Sequence, residues 1–568
     1  MTEPIITQPF TFQGEDPFKM QSLDLEQSLY LKETCKLGRG TYNDLRQVLL
    51  PKVSLASSYA LKKVVGSMVP KYHLFENGVW FDFAELIPKT LTGFMEYLVD
   101  TDDLDPSIMY EAQFCGGYDG AGSFSVYRNS SSGSPNQILV AMRLMKIVEK
   151  VSGQSVYVEK SMGPDTEIPI AIIPGKESHD LVKAIGQKLE TEVLACQNQI
   201  FDINANDKTF QFSFKFEPSQ CDKKLFLDLS GAGGGYCLHC NTTMEDAQNQ
   251  DLIVEGFPMD RNIKDLNERF QALDSKGLID ARKKGDYGQR TGLTHEPIWK
   301  ELDPTKYIPV LHAWINALKL FERLCYLQNS RKSFPNEWPK TGPGIRLSKE
   351  AKLAQDTAKK VFSAQAKATM KLTLNMADIG GTSGNSDTGN NAREFFSAKN
   401  REKVLDLYDF HGNDRDSLRD LLQRWNVVLR VQSSIELIDV PDFVDYCKET
   451  YIKTKDLFPW HTIPGAMHAV LAHSPQQIQS NGGYGLGQKS ESPLESLHYF
   501  MRIFEKYQSR KISTEACLYD TMKRLYLKSC QLVRSQRLEK KPAKHEISFL
   551  SQDDKIVQSF FISNQIEE

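Results

Sequence analysis

"KTFQFSFKFEPSQCDKK" occupies residues 208–224, and its first half alternates without a break. Phe210, Phe212, Phe214 and Phe216 fall on one side of an extended chain, and Gln211, Ser213 and Lys215 fall on the other. A period of two is the signature of a strand with one apolar face. Asp222 follows just past the strand, where in isolation an acid reads as an ordinary loop residue.

Working back from this strand, "QILVAMRLMKIV" (137–148) is nearly continuous in apolar residues, as a strand buried on both faces would be. It is separated from "SFSVYR" (123–128) by "NSSSGSPN", which is turn chemistry between two strands. "YDGAG" places Asp119 ahead of these runs, where an Asp-Gly pair also fits the start of a turn. A helix is expected over about 177–195, and residues 1 to about 100 read as mostly helical, punctuated by Pro51 and Pro70. From about 240 to 480 the sequence is helical again, with "MADIGGTSGNSDTGNN" (376–391) as a loop. Beyond about 535, "RLEKKPAKH" reads as a basic patch followed by a loose tail.

The chain has 568 residues, of which 40% are hydrophobic and 25% charged, the composition of a soluble globular protein with room for several domains. No run approaches the roughly 18 apolar residues of a membrane-spanning helix. The N-terminus lacks the basic and apolar regions of a secretory signal, so an intracellular protein is expected. Ten cysteines are too few for a disulfide scaffold. A net charge of −4 supplies no global field for nucleic acid, so any such binding must come from local patches.

"GGGYCLHC" (233–240) sets Cys237 and Cys240 in the Cys-x-x-Cys spacing that tetrahedral zinc favours. "MHAVLAHSPQQI" (467–478) offers His468 and His473 in a His-x4-His spacing. On a regular helix five residues overshoot a full turn by about 140°, so the rings converge only if the helix ends or bends, and Ser474–Pro475 supplies an expected stop. Spacing alone does not join the two pairs.

"GGGYCLHCNTTMEDAQN" followed by "HAVLAHSPQQI" resembles the split zinc site of the V(D)J recombinase catalytic subunit and the related Transib-type transposases. The likeness runs in order over about residues 45–505, through "SSYALKKVVGSMVPKYHLFENG", "CGGYDGAG", "ILVAMRLMKIV", "KTFQFSFKFEPSQCDKKL", "VLHAWINALKLFERL" and "GNNAREFF". It implies an α/β RNase H-like catalytic core with a large, mostly helical zinc-binding insertion and a helical N-terminal region. The expected boundaries are a helical DNA-binding or dimerisation region at 1–104, the first part of the core at 105–230, the insertion at 231–487, the catalytic helix at 488–510, and a C-terminal helix with a basic and polar tail at 511–568.

The resemblance further implies that Asp119, Asp222 and Glu495 of "SPLESLHYF" are catalytic carboxylates around two Mg²⁺ or Mn²⁺ ions, and that Cys237, Cys240, His468 and His473 hold one structural Zn²⁺. Glu495 also reads as the third residue of a capping box begun by Ser492 and Pro493, and Glu491 is a second candidate for the third ligand. Leu494, Leu497, Met501 and Phe504 give this helix an apolar stripe. The implied activity is that of a nuclear DNA transposase or recombinase, a homodimer on double-stranded terminal-repeat DNA, with an accessory subunit as a further partner. Lys62, Lys63, Arg393 and the "RLEKKPAK" run are the expected DNA contacts, and Trp425 the expected stacking residue for an extruded base. Two other readings remain: a domesticated, catalytically silent DNA-binding protein, and a zinc-stapled interaction protein.

Overall fold

The computed structural model describes residues 21–35, 39–49, 53–102, 104–121, 136–233, 237–243, 245–274, 293–331, 348–374, 388–408, 410–535 and 551–562. The aromatic strand forms over Lys208–Glu217, with Phe210, Phe212, Phe214 and Phe216 buried and Gln211 and Lys215 exposed. It pairs in parallel with the strand Met109–Ala121, from Gln211 opposite Met109 to Glu217 opposite Cys115. Strand 109–121 in turn runs antiparallel to Gln137–Glu149, and that strand antiparallel to Ile168–Pro174. Strand 137–149 is buried along nearly its whole length, as its apolar run requires. "SFSVYR" and most of its turn lie outside the described residues.

Across the eight-stranded sheet the order is 72–75, 78–81, 168–174, 137–149, 109–121, 208–217, 200–205, with 155–158 pairing beside 137–149. A parallel neighbour demands a crossover. The helix His179–Gln197 lies within it, capped by the Ser178 hydroxyl accepting from the Leu181 N–H. The helices Ser492–Tyr507 and Thr514–Ser529 return to the sheet. Leu494, Leu497, Met501 and Phe504 enter the same hydrophobic core as the sheet phenylalanines, which is the apolar stripe seen in the sequence.

Three expectations are corrected. The N-terminal region is not helical throughout: Tyr72–Phe75 and Gly78–Phe81 form a hairpin that joins the sheet. Glu76 and Asn77 both take positive φ, 48° and 59°, which is the demand of a tight two-residue turn. The "ENG" signal in the sequence marks this turn, but the apolar residues around it read equally as part of a helix. Second, the end of the chain is not a loose tail, because helix Gln552–Ser559 places Val557 and Phe560 in a second hydrophobic core. Buried Asp553 anchors it, accepting from Arg401, Gln423 and Asn426. The "RLEKKPAK" run lies outside the described residues.

That second core gathers most of the helices between Gln250 and Ser480, together with Cys237 and Cys240, whereas helix Ile263–Asp274 packs with Leu293 in a separate small cluster. Trp425 is the third correction: it is fully buried in this core, its Nε1 donating to Thr454 Oγ1 at 3.1 Å and its ring edge-on to Phe321. It offers no face to a base. Among the described residues no helix is long and apolar enough to cross a membrane.

Candidate active site and metal centre

The parallel pairing carries the C-terminal ends of strands 109–121 and 208–217 to the same side of the sheet. Pairing stops at Glu217, but the chain stays close, and the Gln220 N–H donates to the Gly116 carbonyl at 3.0 Å. A side chain at Gly117 would place its Cβ 2.4 Å from the Gln220 carbonyl oxygen, so the close approach requires glycine there. Asp222 follows as the N-cap of helix Lys223–Ser230, with Oδ1 accepting from the Leu225 N–H at 2.7 Å. Asp119 lies on strand 109–121 beside it.

Glu495 comes from the first turn of helix 492–507. The capping-box reading does not hold: the helix begins at Ser492, Glu491 is the N-cap, and no side chain caps it. Glu491 is instead buried, and its Oε1 accepts from both the backbone N–H and Nδ1 of His312, at 2.8 and 2.9 Å. His312 turns its other nitrogen toward Glu495 Oε1, 3.7 Å away. The two glutamates therefore have different surroundings.

Electrostatics tie the three acids together. Burial, then the charges of Glu495, Asp222 and Glu177, push the Asp119 carboxyl well above the usual range. Burial also raises Glu495, the His312 charge opposing and Glu491 and Asp222 adding to the rise. Burial alone would lower His312, but the Glu491 hydrogen bond and the charges of Glu491, Glu495 and Asp222 bring it up to about 9. His498 faces Asp119 from 3.7 Å, yet burial and Arg502 bring it down to about 4, so it adds no charge at neutral pH. Among the described residues, these three carboxylates are not one of the groups whose ligand atoms all lie within 4.8 Å of one another.

A buried ion pair fixes the segments that carry two of these acids. Arg143, 1% exposed on strand 137–149, lies 3.5 Å from the fully buried Glu167 and donates to the Gln488 carbonyl. Glu167 Oε1 also accepts from Gln220 Nε2 at 2.8 Å, and the same amide reaches the Ser490 carbonyl at 3.5 Å. Gln220 immediately precedes the Asp222 turn, and Gln488 and Ser490 immediately precede the Glu495 helix. Arg143 and His312 carry only weak signals in the sequence, a charge in an apolar run that also holds Lys146 and a lone histidine in an apolar helix.

The second constellation lies where residues 237–240 meet the helical turns at 465–480. Cys237, Cys240, His468 and His473 are all buried, and their ligand atoms lie within 4.8 Å of one another. His468 and His473 converge because Ala469–His473 is a π-helical turn, whose wider pitch brings residues five apart onto one face. The expected stop at Ser474–Pro475 is absent: the chain continues into helix Ser474–Ser480 with Pro475 in its first turn.

The donor chemistry fits zinc. His468 Nδ1 lies 2.9 Å from the Tyr451 hydroxyl, which itself donates to the Ala247 carbonyl, and His473 Nδ1 lies 2.8 Å from Gln476 Oε1. Each imidazole is thereby held with Nε2 turned inward, the outer contacts metal-bound histidines use. His473 Nε2 is buried without a protein partner, and His468 Nε2 sits 3.4 Å from Cys240 Sγ. Burial pushes the Cys237 thiol up, but hydrogen bonds from Cys240 and from backbone N–H groups outweigh it and bring it to about 7.

The strand order and the crossover helix define the class, an RNase H-like fold. Residues 115–235 match the family model of the recombination-activation protein 1 (RAG1) RNase H domain, a span that includes Asp119 and Asp222, and the chain is RAG1-like there. Among solved structures, the Drosophila P element transposase strand transfer complex is similar at 11% identity and a TM-score of 0.36, covering 90% of this chain and 92% of that one. No curated protein sequence matches the chain at a significant level.

Two measurements check these sites. Arg143→Met leaves Glu167 buried without its cation, so urea unfolding should show a loss of about 3–5 kcal/mol, partly restored by adding Glu167→Gln. Metal analysis of dialysed protein should find about one tightly held zinc per chain. Cys237→Ser should lose that zinc and melt at lower temperature, and full metal content in this variant would remove the cluster as the holder.

Proposed function

We propose that the protein is a metal-dependent DNA transposase or recombinase that nicks DNA beside terminal repeats and leaves a hairpin through attack of the freed 3′-OH on the opposite strand. The observation that supports this most is the electrostatic coupling of Asp119 to Glu495 and Asp222 and of Glu495 to Asp222, with Asp119 on, and Asp222 just past, neighbouring parallel strands. In this reading the three carboxylates hold two Mg²⁺ or Mn²⁺ ions, for which hard oxygen ligands are suited. When bound, such ions polarise the target phosphate and stabilise the charge of in-line displacement.

The chain's own groups do the rest. Asp119 is fixed by a central strand, Asp222 by its capping bond, and Glu495 by a helix pinned to the core. His312, held protonated by Glu491, keeps a positive charge among the acids and lowers the repulsion a phosphate would meet. Arg393, stacked over Trp314, lines a cleft with Glu495, Asn390 and Ser496, a path by which a phosphate backbone reaches the acids. Lys62 and Lys63 are exposed on helix Ser58–Met68 and suit a more distant contact.

The Cys237, Cys240, His468 and His473 set serves as a structural Zn²⁺ clip joining the start of the insertion to its end, with the domain boundaries near 104, 230, 487 and 510. Handling two DNA ends implies a homodimer, with an accessory subunit and a nuclear location completing the reading.

Cleavage assays on duplex DNA test it. Asp119→Asn, Asp222→Asn and Glu495→Gln should each lower nicking at least ~100-fold while DNA binding and zinc content stay intact. Glu491→Gln should lose less, since Glu491 acts through His312. Wild-type nicking in the Asp119→Asn or Asp222→Asn protein would overturn the assignment, whereas DNA binding without any Mg²⁺- or Mn²⁺-dependent nicking in the wild type would favour the catalytically silent alternative. Binding should weaken steeply with salt through counterion release, and undetectable binding at low salt would leave the interaction-protein reading.

A further inference from the structure

His179, Asp228 and His295 meet outside both sites described above. His179 is the first residue of helix 179–197, Asp228 lies in helix 223–230, and His295 belongs to the segment that follows the Leu293 bridge to Ala232. Their ligand atoms all lie within 4.8 Å of one another. Asp228 Oδ1 is 2.9 Å from His179 Nδ1 and 3.0 Å from His295 Nε2, and the two rings are 4.4 Å apart.

The backbone holds this geometry independently of the side chains. The Thr294 N–H donates to the Gly231 carbonyl at 2.8 Å, and a Cβ on Gly231, which has φ +68°, would meet the His295 carbonyl at 2.4 Å. The three side chains line a cleft with Glu177, Lys224 and Thr294, open to solvent.

The hydrogen-bond balance points to a cation. His295 Nδ1 lies 2.9 Å from the Glu296 carbonyl, which can only accept, so Nδ1 carries the ring proton. In the neutral imidazole Nε2 is then a bare lone pair directed at the Asp228 carboxylate. Two acceptors 3.0 Å apart repel unless positive charge lies on or between them. A second proton supplies that charge for one ring; a metal ion supplies it for both rings and the carboxylate together. His473 in the Cys-His cluster has the same arrangement, with Nδ1 engaged outside and Nε2 turned inward.

We propose that His179, Asp228 and His295 form a second metal site, which takes a divalent ion of the zinc class and leaves coordination positions open to the cleft. Two imidazoles and one carboxylate suit Zn²⁺ better than Mg²⁺, which prefers an all-oxygen shell. With three ligands rather than four, the site exchanges its ion where the Cys2His2 cluster keeps its own. Asp228 shares a short helix with the Asp222 cap, and Glu177 joins this cleft to strand 109–121 by accepting from the Gly120 N–H at 2.8 Å. The ion would clamp the helix that presents Asp222.

Zn²⁺ titration by calorimetry tests this on full-length, dialysed protein carrying Glu495→Gln and kept in excess Mg²⁺, so that the catalytic acids do not compete. The readout is metal stoichiometry and is independent of DNA cleavage. The expected result is one further equivalent of Zn²⁺ beyond the retained one, with its affinity lowered at least ~10-fold by His295→Gln and by Asp228→Asn. His295→Gln retains an N–H donor toward Asp228, and an unchanged melting temperature before zinc addition certifies its fold. Absence of the extra equivalent, or unchanged affinity in both variants, would overturn the site and assign the charge on His295 to a proton.

Discussion

Arg143 keeps its charge inside the sheet because Glu167 lies 3.5 Å away and the Gln488 carbonyl, with the Cys115 and Met162 sulfurs, accepts from its guanidinium. Isolated charges this deep are prohibitively costly, so the partners cannot drift apart. The same carboxylate holds Gln220, and the same guanidinium holds Gln488, so one buried pair reaches both the turn before Asp222 and the turn before Glu495. Residues more than 260 positions apart in the chain, such as Gln220 and Ser490, thereby come within one hydrogen bond of each other. The large insertion leaves and re-enters the core on either side of this knot.

The Cys-His cluster does for the insertion what Arg143 does for the core. Cys240 and His468, separated by 228 positions, touch at 3.4 Å, which closes the loop that the helices of the second core fill. Closing so long a loop restricts mainly the unfolded chain, and an ion held there would add its binding energy to folding. The π turn at 469–473 is the local concession: one widened turn sets both imidazoles on the same face without ending the helix.

The strand at 208–217 and the apolar stripe of helix 492–507 were legible because each is set by a local period, and the doubly buried strand at 137–149 because its apolar run is nearly continuous. Cys237 with Cys240 and His468 with His473 were legible as two spaced pairs, only resemblance joined them, and the structure brings the four side chains together. The hairpin at 72–81 was missed because its strands are four residues each, too short for alternation to outvote the helical pattern before them. Trp425 misled for the reverse reason. A tryptophan's size says nothing of which side of a helix it occupies, and here helix 413–432 turns it into the core. Arg143 and His312 could not be ranked from sequence, since their importance comes from partners far along the chain, with Gln488 345 positions from Arg143 and Glu491 179 from His312.

Asp119, Asp222, Glu495, Glu491 and Glu177 crowd one end of the sheet, with His312 and Lys224 as the nearby cations. Left alone, such a group favours dispersal; burial first, and then the neighbouring acidic charges, raise the Asp119 and Glu495 carboxyls. The fold holds them together through interactions spent elsewhere: a buried ion pair, a helix cap, and an apolar helix face. Because those supports lie outside the acidic group, they do not consume its charge. A strained cluster of negative charge maintained by remote contacts is what a polar site requires if its natural partners are cations and phosphate, since the stabilisation then appears only when those partners arrive.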